Sequence, residues 1–258
     1  MNRFILLSFD VEEFDMPLEY NYYIDLPQQM QIGKAGLEAL MPVLDLHAIE
    51  TTMFTTANFA MYYPNHVKQL SKKHEIASHT FYHSTFKNAD LLASRLKLEE
   101  ITGLPVLGLR MPRMQKVNIY EVKKAGYTYD SSINPTWLPG RYNNLHLPRT
   151  LYNQDGLHRL PASVSPNLRL PLFWLSFKNF PYHYFKKLVL QTLVKDGYVC
   201  LYFHPWEFTN IDGFNLPKYV KRYAGEPLQE RLNRLIKDLM PHAEFISIGN
   251  YLHQKTNF

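Results

Sequence analysis

Five short stretches of this sequence carry residue types that could hold a metal ion and move protons. Carboxylates stand at Asp10, Glu12, Glu13 and Asp15, imidazoles at His79 and His83, and guanidinium groups at Arg110 and Arg113. A further carboxylate, Asp130, precedes Ser131-Ser132, and a third imidazole, His204, opens the run His-Pro-Trp-Glu-Phe. His79 and His83 are four apart, so one helical turn would project both rings from one face. Two such nitrogens and one carboxylate make a facial ligand set for zinc or a similar divalent ion, with positions left for water. Asp10 and Glu12 stand two apart, which on a continuing strand turns both to the same side. One of them could ligate the metal while the other deprotonates a water. Glu13 and Asp15 read as solvated loop residues. Arg110 follows an apolar run, and pairing with Asp10 would keep that acid ionised and oriented. His204 could protonate a leaving group. Asp130 could hold His204 as a cation, or cap the turn before Ser131. The whole set fits hydrolysis of an unactivated amide or ester.

Other chemistries are excluded. The chain has no Gly-rich phosphate loop, P-loop lysine or dinucleotide fingerprint, and no Gly-x-Ser-x-Gly elbow. Its one cysteine, Cys200, rules out an internal disulfide framework and a Cys-rich zinc site. Lysine and arginine exceed aspartate and glutamate by 28 to 23 without basic runs, so no nucleic-acid partner is expected. No apolar window is long enough for a membrane span. The apolar run after Arg3 is also too short for a signal peptide, so a cytoplasmic location is expected.

Short apolar runs alternate with stretches of helical spacing. Strands are expected at 4–9, 51–57, 75–78, 105–110, 127–130, 158–162, 198–203 and 243–248. Helices are expected at 34–48, 64–73, 90–102, 116–125, 183–196 and 227–239. This β-then-α repetition predicts one TIM-barrel-like α/β barrel over residues 1–258, with a doubly wound open sheet as the alternative; in a barrel, chemistry sits just after the strand C-termini. All five stretches fall at that rim. Residues 168–185 are dense in aromatic side chains. They would form a sugar-stacking lip or a membrane-docking patch, or else pack over the barrel mouth.

FDVEEFD, SHTFYH, LRMPR, YDSS and YFHPWEF, in that order, resemble the five motifs of the polysaccharide deacetylases with a NodB-type (carbohydrate esterase 4-like) domain. The resemblance spans roughly residues 4–208, and the tail KRYAGEPLQERLNRLIKDL is similar to the branch with a His-Pro-Trp-Glu-Phe fifth motif. It implies a distorted (β/α)7 barrel and metal-dependent removal of an acyl group from a sugar of a surface polysaccharide or its precursor, with zinc, nickel or cobalt as the metal. Carried across, Asp10 is the base, Arg110 its partner, His79 and His83 the metal ligands, His204 the acid and Asp130 the residue that tunes it. The sequence departs from the family pattern twice. Val11 stands where an acidic ligand usually follows the base, which makes Glu12 the substitute. Arg113 stands where a tyrosine is usual; its backbone N–H could still serve an oxyanion hole, and its cation would favour an anionic or lipid-phosphate-linked glycan. Trp206 is the candidate for sugar stacking, or else it walls the metal site. Metal-free, allantoinase-like relatives that open cyclic amides, and a non-catalytic carbohydrate binder, are the competing expectations.

Overall fold

The computed structural model describes residues 2–256. Its strands are β1 (Phe4–Val11), β2 (Thr52–Thr55), β3 (Glu75–Ser78), β4 (Gly108–Leu109), β5 (Tyr129–Asp130), β6 (Trp137–Leu138), β7 (Tyr142–Asn143), β8 (Tyr152–Gln154), β9 (Leu157–Arg159), β10 (Tyr198–Phe203) and β11 (Glu244–Phe245). Between them run α1 (Leu26–His47), α2 (Ala57–Tyr62), α3 (Pro64–Leu70), α4 (Ala89–Thr102), α5 (Ile119–Lys124), α6 (Trp174–Asn179), α7 (Tyr182–Asp196), α8 (Lys218–Lys221) and α9 (Glu226–Leu239), with α10 (Ile248–Thr256) last.

The main sheet has the order β10-β1-β2-β3-β4-β5-β9-β8, parallel up to β9, with β8 antiparallel at the end and β11 beside the start of β1. The chain leaving β9 returns to the opposite end of this order. Ser163 donates its N–H to the Cys200 carbonyl at 2.9 Å, and its hydroxyl accepts from the Cys200 N–H at 2.8 Å. The sheet therefore curls round, and a loop contact on β10 takes the place of an eighth parallel strand. This is the expected distorted (β/α)7 barrel.

Strand alternation divides the buried residues into two cores. Ile5, Leu7, Phe9 and Val11 of β1 belong to the larger cluster, which includes the packed helices, while Phe4 and Leu6 join Phe54, Ala77, Tyr129, Tyr198 and Cys200 in the smaller one inside the barrel. The same inward face continues upward as Ser8, Asp10 and Glu12. The barrel is thus filled with apolar side chains at its base and polar ones at its rim.

Most expected elements are present, but several are shorter or displaced. The strands expected at 105–110 and 127–130 shrink to Gly108–Leu109 and Tyr129–Asp130. The last expected strand ends at Phe245, and α10 begins at Ile248. Helix α1 starts well before residue 34, because Asp25 accepts from the Gln28 N–H at 2.9 Å and Pro27 occupies the first turn. Two glycines on α1 let it approach the rim. A Cβ at Gly33 would lie 2.6 Å from the Glu12 carbonyl oxygen, and one at Gly36 would lie 2.1 Å from that of Pro205.

Gly36→Ala must therefore push α1 away from the loop that follows β10. The expected loss is about 1–3 kcal/mol in urea unfolding, the usual cost of overpacking. Gly213→Ala, where an added Cβ meets nothing within 4 Å, is the control and should stay within about 0.5 kcal/mol of wild type.

Candidate metal and proton-transfer site

The rim residues converge as the barrel rule requires. Asp10, at the end of β1, is 4% exposed, and Arg110, directly after β4, is fully enclosed. Arg110 Nη1 donates to Asp10 Oδ1 at 2.7 Å and to the Ser8 hydroxyl at 3.0 Å, while Nε and Nη2 donate to the Ser131 carbonyl and hydroxyl at 3.2 and 3.0 Å. Burial disfavours the guanidinium charge, but Asp10 outweighs it and the Arg110 pKa rises.

Glu12, His79 and His83 form the one potential metal-holding cluster among the described residues. Glu12 Oε2 lies 3.1 Å from His79 Nε2 and 3.0 Å from His83 Nε2. His79 Nδ1 donates to the Arg110 carbonyl at 2.8 Å, and His83 Nδ1 faces Asp15 Oδ1 at 2.8 Å. Because those partners can only accept, each ring donates from Nδ1 and turns Nε2 toward Glu12. Burial would raise the Glu12 pKa, yet His83, His204 and the His79 contact hold it well below the carboxylate range. Burial likewise opposes charge on His83, but Glu12 and Asp15 lift it well above the ordinary imidazole value. Glu12 Oε2 is buried without a hydrogen-bond partner. An anionic oxygen with two imidazole nitrogens, each backed by an acceptor, is the donor set a zinc-like ion takes.

Several sequence expectations change here. His79 and His83 do not share a helical turn: they lie in the loop after β3, where Thr80 adopts φ 64° and reverses the chain between them. Glu13 and Asp15 are not solvated but 4% and 2% exposed. Glu13 accepts from Thr56 and Asn58 at 2.7 and 2.6 Å, fixing the β1 loop to the start of α2. Asp130 does not reach His204. It pairs with Arg159 at 3.0 Å and accepts from the Ser132 hydroxyl, since β9 lies beside β5 and brings Arg159 to it. The carboxylate at His204 is Glu207 instead, whose Oε1 lies 3.1 Å from Nδ1. Glu207 stands inside the quoted fifth motif, three residues on, and that spacing in a tight turn was the available signal.

Arg113 does not offer a free cation. Its Nε donates to Glu19 at 2.5 Å, Nη2 to Asp15 at 2.9 Å and Nη1 to the His83 carbonyl at 3.1 Å. It braces the carboxylate behind His83. Trp206 is 1% exposed, donates to Glu12 Oε1 at 3.1 Å and stacks on His204 at 5.0 Å, so it walls the Glu12–His79–His83 cluster and is closed to a sugar. In the aromatic segment, Phe173, Trp174, Phe177, Tyr182 and Phe185 are buried, which favours packing over a membrane patch. Phe173 and Trp174 also line the cavity above the cluster.

That cavity has a volume of about 340 Å³, with Asp10, Glu12, His79, His83 and His204 among its lining residues. Tyr20, Tyr142, Trp174 and Tyr219 line it as well. The β6–β7 hairpin contributes Leu138 and Tyr142, and Arg141 ties it to Glu19 at 2.9 Å. His204 Nε2 faces Asp10 Oδ2 across 3.9 Å. Burial lowers the His204 pKa, but Glu12, Glu207 and Asp10 together raise it above 6.5.

Residues 5–129 match the family model described as polysaccharide deacetylase. The match covers just under half of the chain and supports a deacetylase hydrolase of NodB type. No curated protein matches the sequence significantly. Among solved structures, the chain is similar to a Mycobacterium smegmatis protein with polysaccharide deacetylase as its assigned class. The TM-score is 0.68 at 17% identity, over 98% of this chain and 91% of that one. It is also similar to the Puue allantoinase, with TM-score 0.59 and 13% identity over 94% and 86% of the two chains. A third similarity is to a CE4 family pseudoenzyme from Bacillus anthracis, with TM-score 0.52 and 11% identity over 96% and 65%. At such identities these likenesses establish the fold.

Replacing His83 with Ala should abolish metal retention without unfolding the barrel. Asp15→Asn should lower metal affinity about 10–100-fold, the usual effect of losing an outer partner. Protons compete for the same lone pairs, and the raised His83 pKa sets the sign: affinity in a calorimetric titration falls as pH falls. Unchanged metal content in His83→Ala would remove the ligand assignment.

Proposed function

We propose that the protein is a divalent-metal-dependent deacetylase that hydrolyses an acetyl or similar acyl group from an amino sugar of a surface polysaccharide or its precursor. The observation that carries this reading is the placement of Glu12 Oε2 between two imidazole Nε2 atoms, beside the Asp10 carboxylate. Glu12, His79 and His83 would hold the ion. When bound there, an ion such as zinc would polarise the acyl carbonyl and lower the pKa of a water.

The protein's own groups do the rest. Asp10 is held through Oδ1 by Arg110, which leaves Oδ2 on the His204 side to take a proton from water. His204, held at Nδ1 by Glu207, presents Nε2 to protonate the departing nitrogen. Because its pKa is raised, the imidazolium persists to higher pH than a free histidine would. The aromatic wall of Trp174 and Tyr142 suits the face of a sugar ring. Metal-free opening of a cyclic amide, the competing reading, needs no Glu-His-His set, and the presence of that set favours the deacetylase.

Metal-loaded protein should release acetate from N-acetylated oligosaccharides. Asp10→Asn should cost about 10²–10⁴-fold in kcat, the range for a general base, while metal stays bound. The kcat–pH profile should fall on its alkaline side at a higher pH than a free histidine would give, where His204 loses its proton. His204→Gln should remove that limb; a limb that survives would exclude His204 as the acid.

A further inference from the structure

His204 presents Nε2 to Asp10, so its Nδ1 side faces the opposite way, toward a charge pair with no route to solvent. Glu207 and Lys178 are both 0% exposed, and Lys178 Nζ lies 3.1 Å from Glu207 Oε2. The other oxygen, Oε1, accepts from the His204 backbone N–H at 2.8 Å and meets Nδ1 at 3.1 Å. Neither Nζ nor Oε2 has a further hydrogen-bond partner among the described residues.

Lys178 stands one turn beyond Trp174 on α6. Its Nζ lies 5.6 Å from the Trp174 ring and 6.0 Å from the Trp206 ring. The same two rings enclose His204, Trp206 stacked at 5.0 Å and Trp174 edge-on at 5.1 Å. The catalytic imidazole and the buried ammonium therefore share one aromatic enclosure and one carboxylate. Desolvating two charges costs several kcal/mol, and replacing such a pair by apolar side chains is often neutral or stabilising. Stability gives no reason to place a lysine there.

We propose that Lys178 is a positioning residue for the proton donor: by holding Glu207 Oε2 it keeps Oε1 on the backbone N–H and Nδ1 of His204, fixing the ring with Nε2 toward Asp10 and the cavity. This inference rests on the deacetylase reading of the site. The charged and titratable groups around His204 are Asp10 from β1, Glu12 just after it, Tyr202 from β10, Glu207 from its own turn and Lys178 from α6. Of these, Lys178 acts only through Glu207. With Lys178 gone, the Glu207 carboxylate is buried without a counter-ion, and it either takes a proton or turns away. Both outcomes remove the negative acceptor at Nδ1 and make the imidazolium easier to deprotonate.

The test compares wild type with Lys178→Met and with Lys178→Met/Glu207→Gln, metal-loaded, with thermal unfolding and metal content as controls. The double variant leaves no orphaned charge, so it decides the question if Lys178→Met does not fold. The expected result is a kcat lowered about 10–100-fold, the range for an outer partner, with KM changed less than about twofold. The alkaline limb of the kcat–pH profile should move to lower pH by about one unit. The ¹⁵N shifts of the His204 ring should report a fixed Nδ1–H tautomer in wild type and an exchanging one in the variants. Folded variants that keep the wild-type kcat, alkaline limb and ring shifts would overturn the proposal. A wild type inert toward every acylated sugar would instead defeat the deacetylase reading, and the ring shifts would still decide the role of Lys178.

Discussion

One buried guanidinium ties the rim together. Arg110 is fully enclosed, and its side chain reaches Ser8 and Asp10 on β1 and Ser131 after β5. Ser8 passes the connection to β10 by donating to the Leu201 carbonyl at 2.9 Å. The Arg110 backbone carbonyl fixes the His79 tautomer, and its guanidinium carbon lies 4.0 Å from the centre of the Phe54 ring on β2. A buried charge of this kind is tolerable only with its counter-ion and hydrogen bonds in place. Asp10, His79 and the barrel wall are thereby held in one arrangement.

That arrangement follows from the way the barrel is filled. On β1 the inward face reads Phe4, Leu6, Ser8, Asp10, Glu12, so one strand runs from apolar floor to ionised rim. The outward face, Ile5, Leu7, Phe9 and Val11, stays apolar throughout to receive the helices. Val11 shows why the second inward carboxylate is Glu12: the position directly after Asp10 points into the outer core, and the next inward position is two residues on from Asp10. The bare approach of α1 at Gly33 and Gly36 then presses the β1 and β10 loops toward each other.

Much of this was legible in the sequence, for physical reasons. Long buried strands such as β1 and β10 announce themselves as apolar runs, and strand-end placement marked Asp10, His79, Arg110 and His204 before any contact was known. Pairings across the barrel were not legible. Asp130 and Glu207 are both carboxylates near a rim, and only the packing of β9 against β5 and the turn after β10 assigns one to Arg159 and the other to His204. Burial of loop residues was equally hidden: Glu13 and Asp15 read as solvated loop residues and Arg113 as a cation offered to the substrate, because their partners, Thr56, His83 and Glu19, lie far off in sequence. The two-residue strands β4 and β5 were overestimated because apolar flanks extend beyond the ladder. Helix α6 was missed because its aromatic residues mask the helical spacing.

The account stands on Glu12 as the carboxylate that completes a metal site with His79 and His83. Calorimetric titration of zinc into metal-depleted wild type and Glu12→Gln tests it most directly, since glutamine keeps an acceptor for Trp206 and removes only the charged ligand. The account predicts one equivalent of zinc bound by wild type, with affinity lowered at least about 10-fold in the variant. Equal zinc affinity and stoichiometry in the two proteins would contradict it.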